Sequence, residues 1–201
     1  MYKNPYINIL DSITRIKEKG RNLFNLLDNY VNLSKSTILD IGCGNGFFEF
    51  ALAPYCLEVY GLDPSSNMIN DAIINNNDHF KYKNVHFLNK YAEELKLDKY
   101  PKFNLIIFSY SIHLIKDPIK ILNRMKHFLT KDGLIYIMEA NKEFISKRFN
   151  LKSILFDKIE YNKKQKLLKK TRKLVEEFSK DHVILYELFD NKIYSKLIRF
   201  I

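Results

Sequence analysis

The chain has 201 residues, 46 % of them apolar, and a formal net charge of +10. That length and apolar content suffice for one buried core without disulfide or metal staples, so disorder is not the default reading. Two cysteines, Cys43 and Cys56, exclude a disulfide framework and a Cys-rich zinc site, and they suit a reducing, cytoplasmic compartment.

The apolar runs are too short to cross a bilayer, so no membrane association is expected. Met1 to Leu10 carry no apolar h-region, so no secretory signal is expected either. The charge is uneven. Residues 1–100 hold 11 Lys/Arg against 12 Asp/Glu, and residues 101–201 hold 22 against 11. A basic half suits a nucleic-acid or anionic-substrate surface. The competing reading is a solvated surface in a chain crowded with Lys, Asn, Ile and Tyr.

Up to about Asn32 the chain reads as helical, with Ile13, Ile16, Leu23, Phe24, Leu27 and Tyr30 in one stripe. Gly20 is expected to split this stretch in two. Thr37 to Ile41 is nearly continuous in apolar character, as a strand buried on both faces should be. It runs into Gly42-Cys43-Gly44-Asn45-Gly46 and a helix from Phe47 to about Pro54.

Glu58 to Leu62 is the second strand, and Asp63-Pro64-Ser65 opens a helix with Met68, Ile69, Ala72 and Ile73 on one face. Asn75 to Asn77 end that helix. Val85 to Leu88 and Phe103 to Phe108 are strands three and four. Asp117-Pro118 starts a helix with a good cap, and Ile121, Leu122, Met125, Phe128 and Leu129 follow at core spacing. Lys131-Asp132-Gly133 reads as a turn before a fifth strand, Leu134 to Met138.

A basic helix is expected over about Ile154 to Ser179, with Leu167, Leu168, Leu174, Val175 and Phe178 inward. Val183 to Phe189 and Lys192 to Phe200, around Asp190-Asn191, read as an antiparallel hairpin. Strands alternating with helices predict an α/β fold, doubly wound around a mostly parallel sheet. No linker is visible. The chain reads as one domain, with a helical cap (1–35), a ligand-binding core (36–140) and a basic helix with terminal hairpin (141–201).

The glycine loop is the most informative segment. It sits at the carboxyl end of a parallel strand, where such sheets bind ligands. Asp63, 19 residues after Gly44, ends the next strand. An acid there can accept from both hydroxyls of a ribose. The dinucleotide fingerprint G-x-G-x-x-G does not fit, because Phe47 stands where its third glycine or alanine belongs, and no P-loop is present.

The spacing Asp-x-Gly-x-Gly-x-Gly over 40–46 resembles the first motif of the class I S-adenosylmethionine-dependent methyltransferases. Gly61 to Met68, Val85 to Leu97, Phe103 to His113 and Leu129 to Leu134 resemble the family's later motifs in order. The match is good over about residues 36–140 and architectural elsewhere. It implies a Rossmann-like fold and S-adenosylmethionine as cofactor, with S-adenosylhomocysteine as product.

By this resemblance, Gly42, Gly44 and Gly46 form the loop along the methionine part of the cofactor. Asp40 stands near its amino group, directly or through water. Asp63 holds the ribose diol, Pro64 and Met68 pack around adenine and ribose, and the backbone of Ala92 meets the adenine edge. Ser109 offers a carbonyl near the amine. The chain departs from the family at Tyr91, where an Asp that accepts from the adenine amine is frequent and where the tyrosine could donate or stack on the cofactor instead, at Asn104, and at Asp132-Gly133.

Methyl transfer needs a nucleophile held in line with the methyl group, and a base when that nucleophile arrives protonated. His113, after the fourth strand, is the candidate base, since an imidazole exchanges protons near neutral pH. The alternative is a loop histidine packed against substrate or Asp117. Tyr6 in the cap, Tyr110, His113 and Arg148 are candidate substrate contacts, and Phe47 and Tyr110 could line the transfer cavity. The histidines have no metal-binding spacing, so no metal is expected.

Between Asn141 and Phe156, aromatics interleave with Lys142, Lys147, Arg148 and Lys152, as in single-strand or anion binders. Lys163, Lys164, Lys166, Lys169, Lys170 and Lys173 read as the wet face of the basic helix.

The expected function is methyl transfer to an O or N atom of a small molecule, anionic ones included. An RNA substrate such as tRNA, held by the basic half, comes second. A non-catalytic, cofactor-binding partner subunit comes third. None of these features encodes an oligomeric state.

Overall fold

The computed structural model describes residues 5–140, 154–189 and 193–200. Among the described residues seven strands form one sheet: β1 Thr37–Ile41, β2 Glu58–Asp63, β3 Val85–Asn89, β4 Phe103–Ser109, β5 Leu129–Ala140, β6 Val183–Phe189 and β7 Ile193–Arg199. Their order is β3-β2-β1-β4-β5-β7-β6. The first five are parallel, and β7 runs antiparallel between β5 and β6. The helices are α1 Pro5–Leu27, α2 Phe47–Leu52, α3 Ser66–Asn75, α4 Pro118–Lys126 and α5 Ile154–Ser179. This is the doubly wound sheet with a terminal hairpin that the alternation of strands and helices predicts.

Strand β4 shows why the order works. Successive side chains point to opposite faces. Leu105 and Ile107 join Ile16, Leu23, Leu27 and Leu52 of α1 and α2 in one apolar cluster. Ile106 and Phe108 join Ile121, Leu122 and Met125 of α4, and Val175 and Phe178 of α5, in the other. Both faces are covered, so a central strand must be apolar throughout. From β1 the chain goes to β2 on one side and returns to β4 on the other, which opens a crevice at the carboxyl ends of β1 and β4.

Several expectations are corrected. Gly20 does not break α1, which runs unbroken through it. A Cβ at position 20 would stand 2.1 Å from the carbonyl oxygen of Ala51. The glycine therefore lets α1 and α2 approach closely, and packing overrides its poor helix propensity.

Lys131-Asp132-Gly133 is not a turn before the fifth strand but part of β5. Phe103 pairs with Leu129 while Leu105 pairs with Leu134, so β5 bulges between these two pairs. Met68 and Ile73 of α3 are exposed, and Ile69 and Ala72 carry its burial. The helix α3 ends at Asn75, as expected of Asn75 to Asn77, and a π-turn over Asn76–Phe80 follows it, closed by Lys81 at φ 57°. Leu167 of α5 faces outward, while Leu168, Val175 and Phe178 face inward. The hairpin turn at Asp190-Asn191 lies outside the described residues. Among the described residues, no helix is long and apolar enough to cross a membrane.

Candidate active site

The loop after β1 is held by β2. The N–H groups of Gly42 and Cys43 both donate to the Leu62 carbonyl, at 2.7 and 3.1 Å. Gly42, Gly44 and Gly46 all take positive φ, at 83°, 56° and 87°. At Gly42 the demand is steric as well, since a Cβ there would lie 2.3 Å from Cβ of Ser111. Ser111 closes the contact by donating its hydroxyl to the Ile41 carbonyl. The turn after β4 is thus fastened to the end of β1.

Asp63 ends β2 beside this loop. Gly44 N–H donates to its Oδ2 at 3.0 Å, and Ser65 N–H donates to its Oδ1 at 2.8 Å. Two amides fix the carboxylate plane, and each oxygen keeps a further lone pair. The Asp63 carbonyl also receives the Asn89 side-chain amide and the Lys90 N–H, which ties the end of β2 to β3.

A cavity of about 670 Å³ opens here, bounded by Ile41, Gly42, Leu62, Asp63, Pro64, Tyr91, Ala92, Ser111, Leu114 and Ile115. That volume lies in the range of sites for nucleoside-sized ligands. Of the residues expected to meet the cofactor, Gly42, Asp63, Pro64, Tyr91 and Ala92 come together around it. Tyr91 is exposed and Ala92 is buried in the short turn that follows it. The cavity does not include Met68, whose side chain is exposed on the first turn of α3. Gly44 and Gly46 shape the loop without lining the cavity.

Asp40 and Ser109 lie behind the loop, both buried. The Ser109 hydroxyl sits 2.8 and 3.0 Å from the two Asp40 oxygens and donates to them. Burial pushes the Asp40 carboxyl up to about 7. Hydrogen bonds from Ser109 hold it from rising further, and the charge of Asp63 adds to the rise. Glu49 of α2 is equally buried, and burial followed by the negative charge of Asp40 drives its carboxyl well above the usual range.

The turn after β4 carries the remaining candidates. Tyr110 is half-buried at φ 56°, a left-handed conformation that costs a tyrosine of order 1–3 kcal/mol and is typical of functional turns. Its N–H donates to the Met138 carbonyl at 2.7 Å, and its ring lies 6.4 Å from that of Phe48. His113 is buried, and its partner is Glu139 at the end of β5, not Asp117, which caps α4. His113 Nδ1 lies 2.9 Å from both Glu139 oxygens, and its backbone N–H donates to Oε1 at 3.2 Å. A neutral His113 that donates from Nδ1 to this carboxylate keeps Nε2 free to accept a hydrogen bond.

Arg148 and the aromatic-basic segment from Asn141 lie outside the described residues, as does the side chain of Tyr6. Among the described residues no group of His, Cys, Asp or Glu is placed to hold a metal.

Sequence reasoning missed three residues. Glu49 interrupts the apolar run 47–52, and Glu139 closes an apolar strand. A lone charge in an apolar stretch was the available signal for both. Lys19 of α1 gave no such signal. It is half-buried, 3.7 Å from the Met138 sulfur and 5.6 Å from the centre of the Phe48 ring, and burial lowers its pKa.

A family described as a methyltransferase domain matches this chain over residues 32–192. The chain is 33 % identical over 131 residues to a Campylobacter jejuni ubiquinone/menaquinone biosynthesis C-methyltransferase UbiE, covering 59 % of this chain and 53 % of that protein. It is 30 % identical over 134 residues to a tRNA U34 carboxymethyltransferase of Campylobacter fetus, covering 61 % and 44 %. The chain thus spans about half the length of these curated relatives. Among solved structures, one described as a putative S-adenosylmethionine-dependent methyltransferase of Methanococcus maripaludis superposes with a TM-score of 0.68 at 20 % identity, over 100 % of this chain and 97 % of that one. That likeness shows the fold.

Proposed function

The chain belongs to the family of class I S-adenosylmethionine-dependent methyltransferases, and we propose that it methylates an oxygen or nitrogen of a small molecule, anionic molecules included. The observation that carries the cofactor placement is the Asp63 carboxylate, held at the cavity edge by the Gly44 and Ser65 amides. Asp63 would accept from the ribose hydroxyls. Pro64, Tyr91 and Ala92 would flank the adenine, and Gly42 would leave room for the amino-acid arm. S-adenosylmethionine supplies a methyl group already activated by its sulfonium. The chain's own task is then to position the acceptor and, where needed, to take its proton.

His113 suits that second task. Glu139 orients its ring, so that Nε2 can receive the proton of a hydroxyl or ammonium acceptor. The pair is buried, and a small molecule reaches a buried base more readily than a nucleotide within a folded RNA. Lys19, half-buried and in no ion pair with a described carboxylate, favours an anionic acceptor.

A second reading has one observation in its favour. Lys163, Lys166, Lys169, Lys170 and Lys173 are exposed along α5, and such a row can follow a phosphate backbone. The test uses purified protein, methyl-labelled S-adenosylmethionine and cell extract, with the products split into small-molecule, nuclease-sensitive and protease-sensitive fractions. Label in the small-molecule fraction is the expected outcome. Label in the nuclease-sensitive fraction would replace the small-molecule acceptor with RNA. Cofactor binding without label in any fraction would favour a partner subunit.

A further inference from the structure

A second cavity, of about 180 Å³, lies between α5 and strands β5 and β7. Ile112, Ile137, Leu168 and Val175 form its apolar wall, and all four are buried. An apolar cavity of about 150 Å³ takes a benzene ring, so this one holds a single ring with a small substituent. The lining is not wholly apolar. Glu139 borders the cavity from β5, and Gln165 borders it from α5.

These two polar groups together suit one kind of ligand atom. Gln165 Nε2 is buried and has no hydrogen-bond partner, so the side chain presents a donor without an acceptor. Glu139 already accepts from His113, but a carboxylate offers about four lone-pair positions and can take a further donor. A hydroxyl oxygen answers both, since it donates one hydrogen and accepts another. A second carboxylate would meet Glu139 with like charge, and an ammonium would leave the Gln165 amide unmatched.

The cavity also adjoins the candidate base. Ile112 borders it, while Ser111, Leu114 and Ile115 of the same turn border the cavity of about 670 Å³ assigned to the cofactor. His113, buried, is the residue between Ile112 and Leu114. We propose that the cavity under α5 is the acceptor's pocket, and that it selects a hydroxyl-bearing molecule about the size of a single ring, with the hydroxyl held by Glu139 and Gln165. The proposal rests on the methyl-transfer reading above and narrows its acceptor atom to oxygen.

The test is a methyl-detected NMR titration of the full chain with phenol, toluene, benzoate and S-adenosylhomocysteine, each added separately. Phenol should saturably shift the methyl signals of Ile112, Ile137, Leu168 and Val175. It should bind at least about tenfold more tightly than toluene or benzoate, as a hydrogen bond to a charged group implies. S-adenosylhomocysteine should instead shift Ile41, Leu62, Leu114 and Ile115, which border the cofactor cavity.

Gln165→Leu, at a half-buried position, should weaken phenol about fivefold and leave toluene and S-adenosylhomocysteine unchanged. Val175→Phe fills the cavity and should abolish the phenol shifts while S-adenosylhomocysteine still binds, which also shows that the variant is folded. Phenol shifts confined to the cofactor cavity, phenol binding no tighter than toluene, tighter binding of benzoate, or an unchanged phenol affinity in Gln165→Leu would overturn the proposal. The cofactor reading stands in each case where S-adenosylhomocysteine shifts its own set of methyls. Absence of those shifts would overturn the cofactor reading, and with it the acceptor role of this cavity.

Discussion

At the residue scale, the site is built from groups whose roles depend on what fixes them. Asp63 can hold a ribose because the Gly44 and Ser65 amides leave its carboxylate one orientation. Asp63→Ala should weaken S-adenosylhomocysteine about a hundredfold, the loss of two charge-assisted hydrogen bonds, with little change in the melting temperature. Calorimetry and a thermal melt check both. His113→Asn should lower turnover about 10²- to 10⁴-fold while cofactor affinity holds, as removal of a general base does. Glu139→Gln should lower it by a smaller factor, since the ring remains but its tautomer is no longer enforced. Single-turnover rates with the identified acceptor read both. Asp63 was legible because it ends a strand at a known distance from the glycine loop. Glu139 was not, because its partner His113 lies 26 residues away across the sheet.

At the element scale, strand identity followed from apolar continuity and helix starts followed from caps such as Asp117 before Pro118. The errors fell where packing overrode local preference. Gly20 reads as a break but serves as the contact point of α1 and α2. Gly20→Ala should therefore destabilise the protein by about 1–3 kcal/mol, as overpacking does. Helix propensity alone predicts a gain of up to about 1 kcal/mol. Denaturant unfolding gives the sign directly. The sequence Lys131-Asp132-Gly133 reads as a turn but is carried through β5, because the pairing of β5 with β4 resumes at Leu134 after the bulge. Met68 reads as part of an apolar face, yet α3 buries only Ile69 and Ala72. An edge helix over the short strands β2 and β3 has little core to offer.

At the scale of the whole molecule, the charge asymmetry resolves into an exposed lysine row on α5 and a crevice at the carboxyl ends of the parallel strands that presents the Asp63 carboxylate. Replacing Lys163, Lys166, Lys169 and Lys170 together by Gln should leave turnover of a small acceptor unchanged and insensitive to salt. An RNA acceptor would instead show affinity that falls steeply with salt and a slope that flattens in this variant. Measured rates at two salt concentrations separate the cases.

The linear chain by itself determined the strand and helix alternation, the glycine loop and the acid after the second strand. Each of these is written in local periodicity or in fixed spacings along one segment. Only the tertiary structure decided which histidine meets which acid and why a glycine sits inside a helix. Those facts depend on strand order and register, which bring together residues that no spacing relates.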